Sequence, residues 1–258
     1  MKTLSCASLF VASILVINSF DALYAAGPVS LGQAADFAVL AGSTVTNTGS
    51  SSLFGDVGVS PGTAITGFPP GTFTGTLHSN DASAIQAQND ALSAYNIQSA
   101  LPVTQILTGQ DLGGLTLTPG VYHFASAAQL TGTLTLDGLG QADPLFVFQV
   151  GDTLTTASNA SIVDINGADW SNTFFQVSTS ATLGTSTAFE GNIIAMASDT
   201  LNTGATVNGS VIALTGAVTL DSNLVVVPEP GSALLLVLGL VSGGRRRRQP
   251  VKAPHGVG

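Results

Sequence analysis

Residues 151–224 repeat one local theme, in which a Thr-Leu pair is followed by a short cluster of Thr, Ser, Asn or Gly and then by an apolar run of strand length. The Thr-Leu pairs begin at Thr153, Thr182, Thr200 and Thr219, and the last three are almost evenly spaced. A period of about 20 residues is typical of a solenoid, in which each coil is one supersecondary unit stacked on the next. The sequence therefore predicts stacked coils whose threonines recur on one flat face.

Strand alternation indicates which side chains of each repeat face outward. The leucines of the pairs should point into the core: Leu154, Leu183, Leu201 and Leu220. The neighbouring threonines should then form an outward row, the Thr-Leu strip, which comprises Thr153, Thr155, Thr182, Thr200 and Thr219. Stacked strands lie about 4.8 Å apart and alternate residues about 6.7 Å apart, so this strip would be a regular array of hydroxyl and methyl groups.

Charged residues are scarce and unevenly placed in this chain of 258 residues. Only 8% of the residues are Asp, Glu, Lys or Arg, against roughly 25% in an ordinary globular domain. All Lys and Arg residues lie at positions 2, 245–248 and 252, whereas residues 27–227 contain 13 acids and 28 threonines. A body without cations cannot neutralise phosphates, which excludes nucleic acid as its partner. The single cysteine, Cys6, lies outside the body and excludes disulfides and thiolate sites there.

Residues 1–26 have the layout of a secretory signal peptide. Lys2 precedes an apolar run at residues 9–20, and small residues lead to Ala26, after which we expect cleavage. An uncleaved membrane anchor is the alternative, although the apolar run is rather short for it.

Residues 228–258 differ abruptly in character from the body. Pro228, Glu229 and Pro230 precede an apolar stretch at residues 233–241 and four consecutive arginines at residues 245–248. The stretch is shorter than the roughly 20 residues of a transmembrane helix, so we expect only transient contact with a membrane. The segment resembles a PEP-CTERM sorting signal of Gram-negative bacteria. This resemblance implies recognition by a membrane sorting protease and a secreted, cell-surface or extracellular-matrix location.

One helix is predicted, over about residues 80–100. Ser79 or Asn80 can cap its N-terminus, and Pro102 follows its end. The spacing of apolar residues predicts one buried face composed of Ala84, Ile85, Ala91, Leu92 and Tyr95. Because one amphipathic helix cannot bury its stripe alone, it should lie along the side of the β structure.

The body, residues 27–227, resembles the microbial ice-binding protein family. The resemblance is carried by LGQAADFAVLAGSTVTNTG, GDVGVSPGTAITGFPPGT, LTPGVYHF, LTGTLTLDG, FVFQVGDTLTTASN, NTFFQV, ATLGTST and LNTGATVNGSVIAL. It implies a mainly β fold, a right-handed discontinuous β-solenoid with one long α-helix packed alongside. It also implies a secreted antifreeze protein that adsorbs to the ice crystal surface through a flat Thr-rich face and inhibits ice growth or recrystallisation. We expect neither enzymatic activity nor a cofactor.

Members of this family often carry a Thr-Ala/Gly-x-Thr/Asn motif on the binding face. Residues 156–159 (TASN) and 203–206 (TGAT) match it, whereas residues 185–188 (TSTA) and the coil at Ser222 depart from it. The resemblance thus assigns ice contact to a motif strip that comprises Thr156, Ser158, Asn159, Thr185, Thr187, Thr203, Thr206 and Ser222. A straight strand cannot present both strips on one face, so a bend near Ala157 or Gly204 must decide between them. We give the motif strip precedence, and the departures from the motif predict a moderate ice binder.

Two other function classes stay open. A secreted acidic solenoid could be a matrix or cell-surface adhesion protein that uses the coils only as a scaffold, without ice activity. An enzyme is a more distant alternative, because acids such as Asp137 and Asp164 are scattered and hydrolysis of sugars needs two carboxylates at a defined separation. His78 and His123 have no metal-ligand partner at a suitable local spacing, so we interpret both as structural and predict no metal site.

Overall fold

The computed structural model describes residues 29–227. The signal peptide predicted over residues 1–26 and the sorting segment predicted over residues 228–258, with Pro228, Glu229 and Pro230, lie outside the described residues. A 3₁₀ helix, Gly32–Asp36, comes first, and the chain then winds into coils that contribute strands to three faces. None of the described helices is long and apolar enough to cross a membrane.

Two coils precede the long helix. Coil 1 consists of β1 (Phe37–Ala41), β2 (Thr44–Thr48) and β3 (Ser52–Phe54). Coil 2 consists of β4 (Asp56–Val59), β5 (Ala64–Thr66) and β6 (Thr72–Phe73). Strand β7 (Leu77–Ser79) then leads into helix α1 (Ala82–Ala100).

Six coils follow the helix. Coil 3 has only β8 (Gln105–Ile106) and β9 (Thr116–Leu117). Coil 4 has β10 (Gly120–Phe124), β11 (Ala128–Leu130) and β12 (Thr133–Asp137), and coil 5 has β13 (Phe146–Val150), β14 (Leu154–Thr156) and β15 (Ser161–Ile165). A short 3₁₀ helix, Trp170–Asn172, precedes coil 6, which has β16 (Thr173–Val177), β17 (Ala181–Leu183) and β18 (Ala188–Glu190). Coil 7 has β19 (Asn192–Ala195), β20 (Asp199–Leu201) and β21 (Thr206–Asn208), and coil 8 has β22 (Val211–Ala213), β23 (Val218–Asp221) and β24 (Leu224–Val226).

The strands form three parallel sheets, one on each face of the stack. Sheet A has nine strands in the order β7-β4-β1-β22-β19-β16-β13-β10-β8. Sheet B has seven strands in the order β11-β14-β17-β20-β23-β2-β5. Sheet C has eight strands in the order β6-β3-β24-β21-β18-β15-β12-β9. The prediction of a mainly β fold with one long α-helix is therefore confirmed.

The order of the coils in space differs from their order in the chain, because coil 8 pairs with coil 1 on all three faces. Val39 lies opposite Val211 in sheet A, and Val45 lies opposite Val218 in sheet B. In sheet C, β24 pairs with β3. The stack consequently runs through coils 2, 1, 8, 7, 6, 5, 4 and 3, and the solenoid is discontinuous.

The interior of the stack is mainly apolar. The leucines of the Thr-Leu pairs are buried there, as strand alternation predicts: Leu154, Leu183, Leu201 and Leu220. Tyr122, Phe148 and Phe175 stack along sheet A, with ring centroids 5.4 Å and 4.3 Å apart. Buried aromatic rings at this spacing stabilise neighbouring coils against each other.

Helix α1 lies against sheet A, and the prediction of its buried face is confirmed for Ala84, Ala91 and Tyr95 but wrong for Ile85 and Leu92. Its N-cap is Asp81, whose carboxylate accepts a hydrogen bond from the Ala84 backbone N–H, and neither Ser79 nor Asn80 has this role. The buried residues are Ala84, Ala87, Ala91, Ala94, Tyr95 and Gln98. Ile85 and Leu92, predicted to be buried, are 45% and 44% exposed. The alanine stripe has small side chains and lets the helix approach the sheet closely, which turns the larger residues outward.

Candidate functional site

Sheet B presents an unbroken ladder of threonines on its outer face. Thr155 lies opposite Thr182, Thr182 opposite Thr200, and Thr200 opposite Thr219. The ladder continues from Thr219 to Thr46 on coil 1 and from Thr46 to Thr66 on coil 2. Six consecutive strands therefore place a threonine at the same register position, and Gln129 on β11 extends the row beyond Thr155.

The ladder threonines face solvent, whereas the residues beside them in each strand face the core. Thr155 and Thr66 are exposed, and the four threonines between them are half-buried by their neighbours in the ladder. Because the threonines lie at the same register position on neighbouring parallel strands, successive threonines are about 4.8 Å apart. The result is a flat row of hydroxyl and methyl groups along the stack.

A second outer row runs beside the threonine ladder and consists of the residue that directly precedes each strand. It contains Thr153, Ser180, Ser198 and Ala217, which are half-buried. The backbone confirms their alignment, because Leu154 N donates to Ser180 O and Ala181 N donates to Ser198 O. The predicted Thr-Leu strip thus occupies two adjacent rows of sheet B, with Thr153 in one row and its other four members in the ladder.

A column of tight turns follows sheet B. Asn159, Ser186, Gly204 and Ser222 have φ values of 60°, 57°, 74° and 55°, in the left-handed region. Successive coils align here, since Asn159 N donates to Thr185 O and Ser186 N donates to Thr203 O. This column turns the chain from sheet B towards sheet C in each repeat.

Three predicted contact residues precede this turn column and remain at the surface. Ser158, Thr185 and Thr203 are exposed and lie at equivalent positions of coils 5, 6 and 7. The hydroxyl of Thr203 donates to the Asp221 carboxylate of coil 8. These residues border the ladder on its sheet C side.

The two copies of the four-residue motif are not equivalent in the structure. The turn residue Asn159 aligns with Ser186 and Gly204, and not with Thr206, its counterpart in the motif. Thr206 instead begins β21 and lies in sheet C opposite Ala188. Residues 156–159 and 203–206 therefore do not occupy matching positions, because the motifs are two positions out of register and coil 6 separates them.

Two residues of the motif strip lie inside the molecule. Thr156 is 3% exposed and Thr187 is 1% exposed. Their hydroxyl oxygens are 2.7 Å apart, and the Gly184 backbone N–H donates to Thr156 Oγ1 at 2.9 Å. Strand alternation places Thr155 outside and therefore Thr156 inside, so both buried threonines stabilise the turn and cannot contact a flat external ligand.

Sequence reasoning missed Thr46 and Thr66. Both follow the alternating pattern of short strands, in the segments STVTNT and TAIT. Nothing in the local sequence indicates that these N-terminal strands stack beside the last coil. The ladder is therefore longer than the repeat region alone suggests.

Sheet C differs from sheet B in its outward side chains. On sheet C, Phe54 is 44% exposed and Leu224 is 39% exposed. Glu190 accepts a hydrogen bond from Asn208 Nδ2 at 2.9 Å. Burial, together with the nearby Glu190 and Asp169 carboxylates, raises the pKa of Asp164 to about 6. This mixture of apolar and acidic groups gives sheet C no regular array.

One of the two histidines of the body, His78, is held by neighbouring carboxylates. His78 lies between two carboxylates, with Nδ1 at 2.8 Å from Asp81 and Nε2 at 3.4 Å from Asp56. This arrangement joins strand β7 to the N-cap of helix α1. Among residues 29–227, His, Cys, Asp and Glu side chains form no group of three that could hold a metal ion.

Comparison with known proteins decides the family. A family model described as ice-binding-like matches residues 39–226, which include almost all of the three sheets. The chain belongs to the ice-binding-like family.

Relatives of this ice-binding-like protein are similar over nearly all of the body. The ice-binding protein of Nostoc sp. (strain HG1) is 53% identical over 245 residues, which covers 89% of this chain and 91% of that protein. A crystal structure of an ice-binding protein from an Antarctic biological consortium matches with a TM-score of 0.76 and 47% identity, covering 78% of this chain and 92% of that chain. The ice-binding protein of Antarctomyces psychrotrophicus matches with a TM-score of 0.75 and 47% identity, covering 78% of this chain and 98% of that chain.

Proposed function

We propose that this protein adsorbs to ice through the outer face of sheet B and so inhibits ice growth or recrystallisation. The observation that carries the proposal is the register of six threonines on six consecutive strands, from Thr155 to Thr66. The names of the similar proteins support the same ligand.

Threonine suits this role because its β-branched side chain is stiff at χ1. A row of such side chains presents fixed positions and loses little entropy on binding. Each methyl group can order neighbouring water, and each hydroxyl can hydrogen-bond to it. Ice carries no net charge, which matches rows that contain only Thr, Ser, Ala and one terminal Gln.

The proposed surface differs from the motif strip. It includes the ladder and the row of Thr153, and Ser158, Thr185 and Thr203 form its border. The buried Thr156 and Thr187 support this border from inside. Asn159 and Ser222 belong to the turn column, and Thr206 belongs to sheet C.

Several further features belong to the same proposal. A secreted protein of a Gram-negative bacterium, released after processing at residues 1–26 and 228–258 by a signal peptidase and a membrane sorting protease, would meet external ice. A right-handed winding is expected because parallel strands are almost always joined by right-handed connections. Binding without catalysis agrees with the scattered acids and with the kind of protein that the relatives are named as.

Measurement of thermal hysteresis and ice recrystallisation tests the proposal directly. The full chain should produce thermal hysteresis and inhibit ice recrystallisation. Thr200→Tyr should remove most of both activities, because a ring at the centre of the ladder holds ice away from the neighbouring threonines. Thr116→Tyr is the matched control, since Thr116 is an exposed threonine on β9 of sheet C. Wild-type protein that binds cells or exopolysaccharide but leaves ice growth unchanged would instead favour the adhesion function.

A further inference from the structure

A row of polar side chains crosses the outer face of sheet A beside the C-terminal half of helix α1. His123 lies opposite Gln149, and Gln149 lies opposite Gln176, on strands β10, β13 and β16. Two residues earlier, the same strands carry Val121, Val147 and Phe174, which pack in the apolar cluster beneath the helix. The polar row thus interrupts a face that is otherwise covered by apolar contacts.

Gln149 is held in a fixed orientation by the end of the helix. Its side chain is only 6% exposed, and its Nε2 donates to the backbone oxygens of Gln98 at 2.8 Å and Leu101 at 3.0 Å. These two bonds use both amide hydrogens, so the remaining Oε1 is available as an acceptor.

Gln176 has no comparable partner. The residue is 5% exposed, and its side-chain amide makes no hydrogen bond with the residues that the structure describes. His123 Nδ1 is also buried without a hydrogen-bond partner within residues 29–227. Buried polar groups are normally satisfied by protein, water or ligand, so this part of the row has unused hydrogen-bonding capacity.

These side chains line a cavity of about 260 Å³. Tyr95 and Ser99 of the helix form one wall, and Ser178 follows the polar row on the sheet. Ser99 Oγ donates to Asn96 O at 2.9 Å, which leaves its lone pairs free to accept. The volume lies just below the roughly 300–1,000 Å³ of drug-sized ligand sites and suits a smaller molecule.

We propose that this cavity binds a small neutral polyol, of the size of glycerol to a monosaccharide. Amide, hydroxyl and imidazole groups offer donors and acceptors together, as a molecule with several hydroxyl groups requires. An anion would lack a counter-charge because the body has no Lys or Arg, and none of the described carboxylates lines the cavity to favour a cation. The same chemistry is offered by a free polyol and by the terminal sugar of a polysaccharide.

Side-chain amide NMR of the full chain tests the site. Glycerol, methyl α-D-glucoside and dextran are titrated separately while the signals of Gln149 and Gln176 are followed. Saturable shifts are expected with at least one of these probes; shifts with dextran identify a sugar terminus, and shifts with glycerol or the glucoside alone identify a free polyol. No saturable shift with any probe would overturn the proposal.

Two variants separate the site from general effects on the fold. Gln176→Met keeps the side-chain length and should weaken binding by about tenfold or more, because the hydrogen bonds of the amide are lost. Gln33→Met removes an exposed glutamine that lies in neither proposed site and should leave the dissociation constant unchanged. Equal affinity of wild type and Gln176→Met would contradict the proposal. Inhibition of ice recrystallisation should be the same in Gln176→Met and wild type, so the outcome is independent of the ice-binding proposal.

Discussion

Thr219 of coil 8 and Thr46 of coil 1 are direct neighbours in the threonine ladder, although they come from opposite ends of the described chain. Two further contacts join coil 8 to coil 1. Val218 lies opposite Val45, and Thr48 Oγ1 donates a hydrogen bond of 3.2 Å to Leu220 O. The outer face of sheet B therefore continues across the junction between the first and the last coil.

Because coil 8 pairs with coil 1, we predict that residues outside the repeat region contribute to ice activity. Thr46→Tyr should reduce thermal hysteresis as much as Thr219→Tyr, because the two side chains occupy adjacent positions of one flat face. Thermal hysteresis at equal concentrations of folded protein is the measurement, with Thr116→Tyr as the control. If Thr219→Tyr is inactive while Thr46→Tyr is fully active, the contact surface ends at coil 8.

The buried pair Thr156 and Thr187 predicts a change in stability without a direct change in ice contact. Thr156→Val keeps the shape of the side chain but removes an acceptor for Gly184 N and a partner for Thr187 Oγ1. The free energy of unfolding should fall by about 1–3 kcal/mol because the Gly184 N–H is left buried and unsatisfied. Urea denaturation gives this value.

The exposed neighbour in the same strand is the matched control for that variant. Thr155→Val should change the free energy of unfolding by less than about 0.5 kcal/mol, since Thr155 faces solvent. A loss of ice activity by folded Thr156→Val that exceeds the loss by Thr155→Val would restore Thr156 to the contact surface.

The burial of the Asp199 carboxyl group predicts that the stability of the protein depends on pH. It is 1% exposed, its carboxylate oxygens have no hydrogen-bond partner within residues 29–227, and burial raises its pKa well above the ordinary value of 3.8. The folded state thus retains a proton that the unfolded state loses above pH 3.8. The contribution of Asp199 to stability is complete below that pH, and it falls by about 1.4 kcal/mol per pH unit as the pH rises toward the folded-state pKa.

Asp199→Asn mimics the protonated acid and should remove this part of the pH dependence. Urea denaturation at pH 4 and pH 6 should show a smaller loss of stability in the variant than in wild type. Asp164, whose pKa is raised to about 6 chiefly by burial, is present in both proteins and contributes equally to both. Identical losses in the two proteins would show that Asp199 ionises normally in the fold.

The buried and exposed faces of helix α1 predict different effects of substitution on the free energy of unfolding. Leu92→Gln should change the free energy of unfolding by less than about 0.5 kcal/mol, because Leu92 is 44% exposed. Ala91→Leu should destabilise the protein by about 1–3 kcal/mol, because Ala91 is fully buried between helix and sheet. Thermal or urea unfolding distinguishes the two, and a large loss of stability in Leu92→Gln would support the predicted burial of Leu92.

The sequence was informative wherever local periodicity determines the structure. The alternation around Leu154 and Leu201 predicts their burial, and the helix signal near residues 80–100 corresponds to α1. On the helix itself, the apolar character of Ile85 and Leu92 was misleading. Its face depends on how closely the alanines approach sheet A, and that distance is a property of tertiary packing.

The motif strip could not be placed from sequence because the Thr-Leu pairs do not mark one register position. In sheet B, Thr155 and not Thr153 lies opposite Thr182, and Thr182 lies opposite Thr200. The motif at residues 156–159 therefore begins directly after its ladder threonine, whereas the motif at residues 203–206 begins three residues after its own. Matching four-residue strings cannot detect this offset, whereas the backbone pairing shows it directly.

The pairing of coil 8 with coil 1 also determines when the fold can be completed. A solenoid stacked in chain order can add each coil to the preceding one as it is made. Here the strands of coil 1 have one neighbour from coil 2 and another from the last coil of the body, so their second edge stays open until coil 8 is present. Contacts of such large sequence separation form late and slowly. The complete threonine ladder can therefore exist only after the entire body has been synthesised.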